Sequence, residues 1–140
     1  MTPLKSLTLY REQFNENYRG DAQSVRDNCG VMDANQALMV IKYMNKGVHL
    51  FDFMGPTLDP LTGRWDVPHF YATDGTYVWD GVLLRWIEQH YIRLPSEFIE
   101  HIRGQTGDWV EKAKANEIEL AASLKSAELI VFSEVHKKQI

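Results

Sequence analysis

The chain has 140 residues, 44% hydrophobic and 24% charged, which fits one folded domain with a sizeable core and excludes the disordered class. Its 15 basic and 19 acidic residues leave a net charge of −4, with no basic stripe of the kind nucleic-acid binding requires, so DNA or RNA is not an expected direct partner. The single cysteine, Cys29, excludes an internal disulfide and fits a reducing compartment.

The opening stretch MTPLKSLTLYREQ lacks the apolar core of a signal peptide. The longest apolar runs, ALMVI and LIVF, fall far short of the ~20 residues of a membrane span. A cytoplasmic protein without membrane contact is the expectation.

Leu7, Tyr10, Phe14 and Tyr18 recur at helical spacing and predict a helix over 4–18. The polar stretch RGDAQSVRDNCGVM then reads as a loop, with Arg19-Gly20-Asp21 a plain turn. Asp33 and Gln36 form a capping box for a helix over 34–46, with Leu38, Ile41 and Met44 or Ala37 inward and Gly47 closing it in a left-handed conformation. VHLFDFM, 48–54, reads as a strand: Val48, Leu50 and Met54 point one way, with Asp52 on their face, while His49, Phe51 and Phe53 point the other. Gly55-Pro56, Pro60 and Gly63 break that pattern.

A β-hairpin at 69–79 follows, with strands over 68–72 and 76–79 and Asp74-Gly75 as a type I′ turn. Asp80 is the N-cap of a helix over 81–91, and Pro95 opens a short one over 95–103. Asp108 with Glu111 launches a long C-terminal helix over 108–138, lined by Trp109, Ala113, Leu120, Leu124, Ala127 and Val131 or Val135. Within it the run Leu129–Phe132 also fits a strand. The fold class is therefore α+β, a small antiparallel sheet of about three strands packed with helices. GQTG at 104–107 is the one seam. It divides a core domain, 1–104, from a helical extension, 105–140, packed on the core or on a partner.

Few motifs carry chemistry. No two of His49, His69, His90, His101 and His136 stand four residues apart, so no metal and no cofactor is expected. Cys29 lies in a polar loop beside Asp27, whose charge opposes thiolate formation. Neither a nucleophile elbow nor a glycine-rich phosphate loop is present. Acid–base chemistry would draw on Asp52, Asp66, His69 and Asp74. Asp52 leads because it shares an apolar face, although an edge or strand-end position, where it caps a loop amide, is the favoured explanation. Asp74 and Asp80 already have a turn and a cap to serve.

The aromatics point to binding. Trp65, Tyr71, Tyr77, Trp79, Trp86 and Tyr91 fall within 27 residues, interleaved with aspartates as in binding hot spots, and core packing claims about half of them. Alternation puts Tyr77 and Trp79 on one face with Val78 opposite. The partner-binding candidates are Asp52, Trp65, Asp66, Tyr71, Asp74, Tyr77 and Trp79, and none of them is assigned a catalytic role.

Three stretches in order, FDFMGPTLDPLTG, FYATDGTYVW and LLRWIEQHYIRLPSEFIEHI, resemble small bacterial immunity proteins encoded beside polymorphic or contact-dependent growth-inhibition toxins. The resemblance covers about residues 37–103. It rests on Thr73-Asp74-Gly75 with Trp79 and on Leu94-Pro95 with Phe98. It implies a protein that binds and blocks a cognate toxin, often a nuclease domain; the mild acidic excess suits a basic one, blocked by occlusion. No binding residue transfers, and the C-terminal extension has no counterpart. Two alternatives stand beside it: a small hydrolase-like enzyme using Asp52 and His69, and a structural homo-oligomer, such as a homodimer, assembled through the 108–138 helix.

Overall fold

The computed structural model describes residues 3–133. Strand β1 (Lys5–Ser6) is followed by helix α1 (Ala34–Met44), strands β2 (Val48–Thr57), β3 (Val67–Thr73) and β4 (Tyr77–Asp80), and helices α2 (Gly81–His90), α3 (Ser96–Arg103), α4 (Trp109–Ala115) and α5 (Glu117–Ser123). Strand β5 (Glu128–Leu129) comes last. The fold is α+β with a five-stranded mixed sheet in the order β2-β3-β4-β1-β5. The expected antiparallel meander supplies β2, β3 and β4, and the two short strands add parallel pairs at β4–β1 and β1–β5.

The N-terminal segment does not form the helix predicted over 4–18. The Lys5 and Leu7 amides donate to the carbonyls of Thr76 and Val78, each at 2.9 Å, which docks the segment onto β4. Gln13 then turns the chain, its Oε1 accepting from the Leu9 and Tyr10 amides and its Nε2 donating to the Leu7 carbonyl. A lone helix of that length is marginal in water. Sheet pairing buries Leu4, Leu7, Leu9 and Tyr10 together and wins. Phe14 and Tyr18 stack on each other at 4.2 Å instead of lining a helix.

Helices α1 to α3 start where their local signals place them. The Asp33 carboxylate accepts from the Gln36 amide and Asp80 from the Leu83 amide, each at 2.8 Å; Pro95 precedes α3. The inward face of α1 is Ala37, Val40, Tyr43 and Met44, with Leu38 exposed. Gly47 serves packing, not a left-handed turn. A Cβ there would lie 2.5 Å from the Trp79 ring.

Two cores flank the sheet. Tyr77 and Trp79 pack on one face with Tyr10, Trp86, Phe98 and Ile87, while Val78 points to the other with Leu4, Val48, Ala113 and Leu120. Among the described residues the long C-terminal helix is not present. Asn116 ends α4, its side chain taking the Lys112 carbonyl at 2.9 Å, and asparagine competes for backbone partners in this way. The break leaves α4 and α5 at seven residues each. Past them the chain returns to the sheet: Glu128, Ile130 and Phe132 donate to the carbonyls of Leu4, Ser6 and Leu9. The described part of the 105–140 segment is thus built into the core through Trp109, Ala113, Leu120 and β5. Its expected helical residues beyond 133, Val135 among them, lie outside the described residues. No described helix is long and apolar enough to cross a membrane.

Candidate functional site: an exposed aromatic edge and a buried aspartate hub

Strand β2 is one edge of the sheet, and its sequence does not follow a simple alternation. The pairing with β3 skips Leu50 and then skips the three residues between Asp52 and Pro56. Two bulges result, and bulges re-aim side chains. Gly55 accommodates the second with φ of 77°. The expected face of Val48, Leu50, Asp52 and Met54 is therefore broken. Val48 is buried, Asp52 has 68% of its side chain exposed, and Met54 stands fully clear of the fold.

Phe51 and Phe53 stack in a row with ring centroids 6.4 Å apart, each 44% exposed. His69 stacks on Phe53 at 4.2 Å and Tyr71 meets it edge-on at 5.8 Å. Between this row and Ala121, Ala122 and Leu124 lies a groove of about 400 Å³ with almost wholly apolar walls. Trp65, 67% exposed, comes from the loop after β2. Lone exposed apolar residues are ordinary, but exposed aromatic and methionine side chains on one edge make a candidate interaction surface.

The candidate carboxylates separate sharply. Asp52 binds His49 Nδ1 at 2.6 Å on the surface; it lines one open groove with His69, but among the described residues no hydrogen bond joins the two. Asp66 is held by Arg85, whose two terminal nitrogens take its side chain and its carbonyl at 2.9 Å each.

Asp74 is different. Its side chain has no exposed surface. One oxygen accepts from the amides of Thr76 at 2.9 Å and Tyr77 at 2.7 Å; the other accepts from the Tyr43 hydroxyl at 2.5 Å and His101 Nε2 at 3.0 Å. Gln105 Nε2 donates to the Tyr43 hydroxyl at 2.9 Å. Burial works to raise the Asp74 carboxyl, but the His101 and Tyr43 bonds and the two amides outweigh it and hold the group below its ordinary range. Burial, with Asp74 next to it, pushes the Tyr43 phenol well up. Only Gly75 of the Asp74-Gly75 pair has positive φ, so the connection is a side-chain-braced turn and not the expected type I′. A carboxylate saturated by four donors has no lone pair left for acid–base work. It ties the hairpin tip to α1 and α3.

Tyr77 and Trp79 are buried in the core, at 2% and 1% exposure, and with Asp74 they present no surface to a partner in this fold. Tyr71 is half-buried at the rim of the aromatic row. The surface candidates are Asp52, Trp65 and Asp66. Sequence reasoning missed the exposure of Phe51, Phe53 and Met54, although FDFM before Gly55-Pro56 marks an apolar run meeting a backbone irregularity. It also missed Tyr43, His101 and Gln105, whose only local hint is the four-residue step from His101 to Gln105.

Among the described residues no cluster of three His, Cys, Asp or Glu is placed to hold a metal. Cys29 is exposed. Partial burial pushes its thiol up, Arg26 works against this, and Glu12, not Asp27, adds to it. Comparisons with protein-family models, curated proteins and solved structures find no match to this chain.

Proposed function

We propose that this chain is a non-enzymatic binding protein that neutralises a protein toxin by covering it, as the resemblance to bacterial immunity proteins implies. The observation that carries the reading is the exposed Phe51–Phe53 stack, with the fully exposed Met54 next in sequence, on the bulged edge strand. Aromatic anchors surrounded by polar groups are the usual energetic centre of an interface. Asp52 and Asp66 border the row and, with the net charge of −4, favour a basic partner, since complementary charge speeds encounter. Trp65, and Tyr71 at the rim, complete the surface. Asp74, Tyr77 and Trp79 act from inside by holding the hairpin that carries β3. A cytoplasmic setting belongs to this reading, because a producing cell needs its protection there.

The test is capture from host lysate with tagged protein and identification by mass spectrometry, run beside a Phe53→Ser/Met54→Ser variant. The expected result is one stoichiometric toxin domain, retained by the parent protein, lost by the variant, and harmless to cells that co-produce this chain. A partner retained equally by both proteins would overturn the assigned surface. Failure of the chain to protect cells from the captured domain would overturn the function.

A further inference from the structure

A second feature lies beside the aromatic row. A cavity of about 210 Å³ opens between the Glu12–Gln13 turn, the end of β2 and the start of α2. His69 and Tyr71 line it, and both also pack on Phe53, so the cavity and the exposed row share two walls. Leu58, Pro60 and Val82 supply apolar surface, and Glu12 and Asp80 supply carboxylates.

The charges around it are unevenly matched. Glu12 is committed to the Ser24 hydroxyl, the Val25 amide and the Arg26 guanidinium, which hold its carboxyl below the ordinary value against burial. Among the described residues Asp80 has no guanidinium or ammonium partner. It accepts from the Leu83 amide at 2.8 Å; burial pushes its carboxyl up, opposed mainly by that amide and the Gln13 side chain, with His69 contributing less. Between Leu58 and Pro60, Asp59 is fully buried, and its Oδ2 has no hydrogen-bond partner among the described residues. Glu12 and Asp80 line the cavity and Asp59 lies between two of its lining residues; among the described residues the guanidinium bonded to any of the three is that of Arg26, on Glu12, and the α2 N-terminus adds roughly half a positive charge. A buried carboxylate without a cationic partner is costly and gains from one.

We infer that this cavity is a socket for a cationic side chain, arginine or lysine, of the protein that docks on the aromatic row. The cation meets Asp80 while its aliphatic stem lies along Leu58, Pro60 and Val82, as long basic side chains do on apolar surface. The Tyr71 ring offers the head group a π face. The inference rests on the binding reading proposed above and gives that partner its chemistry: a basic residue placed to enter beside Phe53.

The socket is testable without the partner. Ethylguanidinium and n-butylammonium are titrated into isotopically labelled protein, with backbone NMR shifts followed at Gln13, Thr57, His69 and Gly81. The expected result is saturable binding, on the order of millimolar for fragments this small, confined to those signals. Asp80→Asn keeps the helix cap, because asparagine caps as well as aspartate, and should weaken binding about tenfold. Val82→Phe, which fills the cavity without touching a carboxylate, should abolish it. Absence of saturable binding, or equal binding by Asp80→Asn, would overturn the socket. The lysate capture, which depends on Phe53 and Met54, tests the binding function separately, so the two can fail independently.

Discussion

Replacing Asp74 by alanine is expected to destabilise the fold by about 3–5 kcal/mol. The side chain is wholly buried and accepts four hydrogen bonds. Each bond to a charged acceptor is worth about 1.5–3 kcal/mol, but the four do not add. Thr76 sits at the half-exposed hairpin tip, so its amide recovers water; the Tyr43 hydroxyl and His101 stay largely enclosed and do not. The assay is urea unfolding followed by tryptophan fluorescence, read as a shift in midpoint at constant slope.

A pH series supplies the second half of the test. The Asp74 carboxyl lies below its ordinary value of 3.8 when folded. Its contribution is therefore complete above that unfolded-state value and is lost as pH falls through the lower folded-state one. Asp74→Asn should remove this part of the acid destabilisation. A cost under about 1 kcal/mol for alanine, or an unchanged acid slope for asparagine, would refute the clamp.

Other changes probe separate contacts. Gly81→Ala puts a Cβ 2.0 Å from the Pro68 carbonyl oxygen, where α2 meets β3, and should lower stability by about 3 kcal/mol, the upper range for overpacking; thermal melting measures it, and a loss below about 1 kcal/mol, the lower end of that range, would contradict the contact. Trp86→Phe removes the Nε1 donor that meets Asp59 at 2.8 Å and leaves that carboxylate, among the described residues, only the Leu61 amide. The unpaired group alone should cost about 1–3 kcal/mol, and a double-mutant cycle with Asp59→Ala should show coupling. Met54→Ser, at a fully exposed position, should leave stability within about 0.5 kcal/mol while weakening partner capture; a large loss in urea would mean that Met54 is packed.

Part of this architecture is legible in the sequence because its causes are local. Asp33, Asp80 and Pro95 mark the starts of α1, α2 and α3 to within a residue, since a cap and the amides it serves lie within one turn of each other. Strand alternation likewise sets Tyr77 and Trp79 against Val78. Leu7, Tyr10, Phe14 and Tyr18 carry a helical period, yet Lys5 and Leu7 bond to β4, more than seventy residues away in sequence. The helix expected over 108–138 gives way to β5 for the same reason, because its ladder partner is β1.

The site divides along the same line. Asp52, Trp65 and Asp66 could be chosen from sequence as polar and aromatic residues near turns. The bulges that turn Asp52 outward and lift Phe51, Phe53 and Met54 into solvent depend on the register between β2 and β3. Asp74 could be read as a turn residue, whereas its role as a hub required Tyr43 and His101 to arrive from α1 and α3. The sequence by itself determined the helix starts, the meander and the mild acidity, all of which act over a few residues or through composition. Tertiary structure alone decided which carboxylates are buried and which aromatics face water, because burial and pairing depend on segments far apart in the chain.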